Sequence, residues 1–279
     1  TVAGPGAPVV AAPEETSSTL DALPTATGES DILLEIASPE IYRSNAFRVT
    51  GLSLDASTRD LDRASEKLRM MEKFGGGASR SGGPLPLDPP PGADELRAAV
   101  QRLHDPEGRL VDELFWFWPE ELGRSQLDAA LAALGRGDLP GAERAWKDRE
   151  REGTVASIST HNLAVLAHAQ ALDLELGGAD GNARAGERDR LWREALKRWL
   201  VVLREEAFWD RVEARVRELD DPRLTHGSVL RMRSTLPKAL LAISAQLALA
   251  SAEHGDLESA RRHVAHMRSA GSDVALVDE

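Results

Sequence analysis

Apolar residues recur at three- and four-residue steps along most of this chain, and no strand-like alternation of useful length appears after residue 40. Leu61, Ala64, Leu68 and Met71 form one such stripe behind Ser57 or Thr58, either of which can cap a helix. Leu96, Ala99, Val100 and Leu103 form the next, after Gly92. Asp105-Pro106 then predicts a fresh start, because Pro suits a first turn behind an Asp cap. Pro237 falls inside the apolar run 236–252, where it is expected to start or kink a helix. Three segments interrupt the periodicity. Residues 1–30 are rich in Ala, Pro, Thr, Ser and Gly with only acidic charges, the composition of a disordered tail. Residues 75–92 are too dense in Gly and Pro for helix or sheet and predict a long loop. Residues 177–186 separate two long helical patterns. The expected fold class is all-α.

Composition changes this picture mainly by exclusion. The 279 residues could make one large domain or two small ones, and either could bury a core. A net charge of −12 without any strongly basic tract argues against nucleic acid as a partner. The absence of cysteine removes disulfides, thiolate metal sites and cysteine nucleophiles, and fits a cytoplasmic location. No apolar run approaches the roughly 20 residues of a membrane span, so none is expected. The first thirty residues lack Lys, Arg and an apolar core, so they do not read as a secretory signal.

Two motif sets carry resemblances. Val49-Thr50-Gly51-Leu52 followed by Asp55-Ala56-Ser57, then Leu61, Ala64, Glu66, Lys67 and Leu68, and finally Leu103, Asp105, Pro106 and Arg109, keep the order and spacing of a J domain. The region resembles the J domains of heat-shock co-chaperones over roughly residues 39–114. The resemblance implies a helical docking module for a seventy-kilodalton chaperone. It also implies that no ATPase stimulation follows, because the family's His-Pro-Asp falls on Lys73-Phe74-Gly75. Arg59, Arg63 and Lys67 would preserve the family's basic docking face. As a plain helix surface they would be a solvated row neutralised by Asp60, Asp62 and Glu66.

From Gln126 the chain resembles degenerate tetratricopeptide repeats. Gly137-Asp138-Leu139 with Ala142 and Trp146 matches the repeat's turn, small residue and aromatic. Gly255-Asp256-Leu257 with Ala260 matches it again, with Val264 in the aromatic place and Leu247-Ala248 upstream. Between them, Leu163-Ala164 is expected to begin a helix and Ala195 and Trp199 to sit on a later one. The expected domains are a tail (1–30), a J-like domain (31–122, with loop 75–92) and a tetratricopeptide-like domain (123–279).

Four consecutive aromatics in Leu114-Phe115-Trp116-Phe117-Trp118-Pro119 cannot share one helical face. The segment is expected to be buried on several sides, joining the two parts. Its alternative is an exposed aromatic anchor for a partner at Trp116 and Trp118. Phe208-Trp209 is read the same way. His263 and His266, at i and i+3, are expected on a solvated helix surface, and His161 and His168 at the edge of a core. Two imidazoles without a nearby third ligand make a weak metal site, His254 being the only other candidate close in sequence, and no metal is expected. Carboxylate pairs such as Asp112-Glu113 carry no sign of desolvation in the sequence. No phosphate loop or nucleophile arrangement is legible, so neither enzyme activity nor a cofactor is expected. The expectation is a non-catalytic adaptor for a protein or peptide, with a heat-shock chaperone as one candidate partner. The alternatives are a subunit of a fixed assembly and, behind it, a small-molecule sensor.

Overall fold

The computed structural model describes Thr1 and residues 31–73, 83–152, 156–177 and 184–271. Among these residues all regular structure is helical: twelve α-helices and one 3₁₀ turn, without a strand. The elements belong to one compact unit that begins at Asp31. They are α1 (Ile32–Ile36), α2 (Ala46–Thr50), α3 (Thr58–Lys73), α4 (Ala93–His104), α5 (Pro106–Leu114), the 3₁₀ turn Ser125–Leu127, α6 (Ala129–Gly135) and α7 (Leu139–Glu152). There follow α8 (Ala156–Leu176), α9 (Ala185–Arg204), α10 (Glu206–Leu219), α11 (His226–Glu253) and α12 (Leu257–Gly271). Residues 2–30 of the expected tail, Phe74, and residues 75–82 of the expected loop lie outside the described residues, as do residues 178–183.

The first five helices start and stop where local chemistry directs. Asn45 accepts the backbone N–H groups of Phe47 and Arg48, and α2 ends at Gly51, whose φ of 71° closes the turn. Ser57 and Asp60 exchange hydrogen bonds at the head of α3, so of the two candidate caps the serine is used. Asp105 caps α5 with Pro106 behind it. His104, at the end of α4, approaches Asp62, near the start of α3, to 3.9 Å, so the two helices run antiparallel. Asp112 on α5 binds this group together: it takes Arg102 of α4 through both oxygens and the Ala46 N–H of α2.

Two turns farther on are the same object built twice. Arg136-Gly137-Asp138-Leu139 joins α6 to α7, and His254-Gly255-Asp256-Leu257 joins α11 to α12. In both, Gly sits at positive φ (78° and 79°), and the Asp N–H reaches back to Ala133 O (3.0 Å) or Ser251 O (2.9 Å). Each Asp carboxylate then caps the next helix, at Gly141 N (2.9 Å) and Ser259 N (3.0 Å). A side chain at either Gly meets open space, so only the backbone conformation resists substitution. Gly137→Ala and Gly255→Ala are each expected to cost about 1 kcal/mol, and Asn at either site less. Urea midpoints of the variants check this; equal stability of Ala and Gly would contradict it.

The helices pack around α8. Every residue in 158–169 is buried, because α7 covers one side and α9 another, with α10 at the end. A helix with no polar face belongs in the interior. Leu163 and Ala164 therefore lie inside α8, seven residues and more past its start, and do not begin a helix. α11 contributes Val229, Met232, Leu236, Ala239, Ile243 and Leu247 as one inward stripe. Pro237 sits within this 28-residue helix and does not begin it. By length and composition α11 could cross a membrane, though Pro237 and Lys238 interrupt its apolar letters. Some 44% of its apolar stretch is buried inside the chain, against α1, α10 and α12.

One hydrophobic core runs from Leu33 to Leu247 and crosses residue 122 without a break. The seam is the aromatic segment. After α5 stops at Leu114 the chain leaves helical geometry, and successive side chains turn to different neighbours. Phe115 meets Tyr42 and Trp199, Phe117 stacks on Trp146 at 5.4 Å, and Trp118 meets His161 and Phe208. Burial of this segment and of Phe208-Trp209 follows the reading that joins the two parts.

The histidines depart from expectation. His161 and His168 are fully inside, where His161 Nε2 donates to Leu114 O (2.7 Å) and the Tyr42 hydroxyl meets His168 Nδ1 (3.2 Å). His263 and His266 are buried as well, with Trp192 edge-on to the first and stacked on the second. The inward face of α12 is thus led by His263, and Val264, expected in the aromatic place, is only half-buried. Imidazole is flat and apolar enough to pack on indole once Glu175 stands 3.5 Å from His263 Nε2.

Candidate functional site

The loop after α2 is held from below and from one side. Beneath it, Glu113 of α5 is completely buried between two guanidinium groups. Arg109 Nε donates to one carboxylate oxygen at 2.9 Å, and Arg215 of α10 spans both at 2.7 and 2.8 Å. The Nη2 groups of the two arginines also reach Leu54 O and, from Arg109, Ala56 O, while Arg215 Nη1 donates to Glu218. Beside it, the two oxygens of Asp55 accept Gly123 N and Ser125 N, each at 2.9 Å. Burial pushes the Asp55 carboxyl up, but these hydrogen bonds and Arg215 bring it below the usual carboxylate range.

Fixing residues 51–56 opposite the 3₁₀ turn and α6 leaves a groove of about 570 Å³. Trp116 and Phe117 form its floor; Leu52 and Leu131 stand on opposite walls with Ser53 and Gln126. Asp55 and Asp60 are the charged residues that line it. Hydrogen bonds from Ser57 hold Asp60 well ionised. Leu127, next in the chain to Gln126, is 72% exposed. An apolar floor under a polar rim suits a short peptide better than a transferred chemical group.

The structure separates the five residues singled out from sequence. Arg59, Arg63 and Lys67 are exposed along α3. Arg63 pairs with Asp60 at 3.3 Å, as a solvated row would, while Arg59 and Lys67 make no ion pair among the described residues. Trp116 lies in the floor of the groove at 4% exposure, and Trp118 is wholly interior. The Trp118 indole N–H donates to Glu113 O, and its backbone is clasped by Asn162 on both sides. Neither tryptophan is a protruding anchor, because the segment between the two halves must satisfy its backbone inside a closed core.

Sequence reasoning missed the charged frame beneath the loop. Arg109 and Glu113 are an i, i+4 pair and were visible as such; Arg215, 102 residues onward, was not. Asp112, the neighbour of Glu113, is also desolvated: burial pushes its carboxyl up to about 6 against the pull of Arg102. No group of three His, Asp or Glu side chains among the described residues is placed to hold a metal ion. No protein-family model matches the chain, and no curated protein or solved structure matches it significantly.

Proposed function

We propose that the chain is a non-catalytic protein-binding adaptor, a J-like helical module continued by a tetratricopeptide-like stack. The groove over Trp116 and Phe117 carries this reading, because it is a preformed concavity whose walls come from both parts. The order α2, Gly51 turn, α3, antiparallel α4 and Asp105-Pro106 turn supports the J-like resemblance. The paired Gly-Asp turns support the repeat resemblance. With Lys73 in place of the family's histidine, the adaptor would dock partners without triggering ATP hydrolysis.

Gln126 is exposed on the groove wall, so Gln126→Trp should fill the groove without disturbing the fold. Affinity purification of wild type and variant, compared by quantitative mass spectrometry, is expected to show partners lost by about tenfold or more from the variant. Identical partner sets would remove the groove from the proposal. A seventy-kilodalton chaperone in the wild-type set, lost on Arg59→Glu with Lys67→Glu, would give the chaperone link. A stoichiometric, salt-stable complex without a chaperone would place the chain in a fixed assembly instead.

A further inference from the structure

α11 shows solvent an apolar face that its own sequence frames with opposite charges. From Ala239 to Ala252 the helix carries no charged residue, on its outside as well as its inside. Its inward stripe is the one led by Leu236, Ile243 and Leu247. Opposite that stripe, Ala242, Ala245, Leu249 and Ala252 follow one another at three- and four-residue steps. Ala245, Leu249 and Ala252 are exposed, Leu249 by 61%, and Ala242 is half-buried. Past the turn, Leu257 is exposed as well. An apolar helix side of this length facing water marks an interaction surface.

Neighbouring helices give the face its edges. α12 packs along one flank and α1 along the other, where Gln246 donates to Ala37 O at 2.9 Å. The charges are sorted by end. Lys238 stands one turn before Ala242, and Glu253 one turn after Leu249. Both are exposed and make no ion pair among the described residues. Arg231 lies farther toward the basic end. Asp256, the cap of α12, and Glu258 lie farther toward the acidic end. Because α12 runs back along α11, its exposed Arg268 returns toward Lys238, with Arg261 between the two ends. Arg262 is drawn inward by Glu175 and Asp189. On α1, Asp31 is engaged by Thr235 and the Leu33 N–H, and Glu35 is engaged as well.

We propose that a second copy of this chain docks on this face, with the two α11 helices antiparallel about a two-fold axis beside Ala245. The pattern is its own complement under that rotation. Lys238 and Glu253 are equally far from the axis along the chain, so each Lys238 meets Glu253 of the other copy. Ala242 and Leu249 are placed symmetrically too, so each leucine fills the space above an alanine. A parallel pair would instead set lysine on lysine and glutamate on glutamate. Opposed helix dipoles favour the antiparallel pair further. A bilayer suits the face less well, because a helix lying in a membrane surface is flanked by Lys and Arg, and residues 239–252 have neither. The face shares no residue with the groove over Trp116 and Phe117, so a dimer presents that groove twice.

Sedimentation equilibrium of the full chain from about 1 to about 100 µM is expected to show a reversible dimer, since one helix pair makes a small interface. Leu249→Glu, at an exposed position, should give a folded monomer throughout that range. Lys238→Glu and Glu253→Lys should each weaken the dimer about tenfold, and the variant carrying both should recover it. The chain has no cysteine, so Ala245→Cys should yield a disulfide-linked dimer under mild oxidation. Leu230→Cys, exposed elsewhere on the same helix, should not. A wild-type monomer at about 100 µM, a dimer indifferent to Leu249→Glu, or no recovery in the double variant would each overturn the proposal. So would equal cross-linking at the two cysteine sites, or wild-type binding to phosphatidylcholine vesicles that Leu249→Glu abolishes.

Discussion

Replacing Glu113 with alanine is expected to remove about 3–5 kcal/mol of stability, the largest loss for a single polar side chain in this fold. The carboxylate is completely buried, and three charge-assisted hydrogen bonds tie it to Arg109 and Arg215. Without it, two guanidinium groups, each under a tenth exposed, remain inside. They keep only the Leu54 and Ala56 carbonyls and, for Arg215, Glu218. Domains of this size have about 5–15 kcal/mol in total, so the alanine variant should be partly unfolded at ambient temperature. Glu113→Gln keeps the volume and one acceptor and should lose less. Urea unfolding followed by tryptophan fluorescence reports both, and an alanine variant within about 1 kcal/mol of wild type would refute the uncompensated-charge argument. The consequence reaches the candidate site, because the same arginines hold residues 54–56 in place. Glu113→Gln should therefore weaken partners of the Trp116–Phe117 groove under conditions where the chain is still folded.

Stability should also fall on acidification, beginning near neutral pH. Burial lowers His161 and His266 to about 4 and His168 to about 3. An unfolded histidine titrates near 6.5, so between these values the unfolded chain binds more protons than the folded one. Stability is then complete above about 6.5 and is lost as pH falls toward about 4, by several kcal/mol for His161 and His168 together. Asp112 works the other way: its raised carboxyl returns some stability as pH falls below about 6, and offsets part of the loss. Glu175 lies below the ordinary range despite burial, through His263, Arg188 and Arg262, and adds a further loss below about 4.5. Urea midpoints at about pH 7.5, 6 and 5 should decline in order, and His168→Phe should flatten the decline. A midpoint constant across this range would show that the imidazoles are not held neutral.

The readable parts of this protein were those governed by neighbours within a turn or two. The Ser57 cap, the Asp105-Pro106 start and the two Gly-Asp turns follow from donors and acceptors only a few residues apart. The burial of Leu114-Phe115-Trp116-Phe117-Trp118 also followed, since no helical face could hold it. What failed were judgements of polarity. His263 and His266 looked like surface because their spacing is that of a helix face and imidazole is polar. Trp192 and Glu175, from α9 and α8, make that face an interior one. Asp112 and Glu113 looked incidental because one of the charges that justifies their burial lies beyond residue 200.

The groove over Trp116 and Phe117 has no sequence signature, because its walls lie some seventy residues apart and are tied together through Asp55. The amino-acid sequence by itself determined the helical class, the caps and the turns, since backbone hydrogen bonds and capping side chains act over short chain distances. Tertiary structure decided which charges and imidazoles lie inside and where the surface opens. A buried polar group is tolerable only when distant partners offset its desolvation, and those partners are chosen by packing.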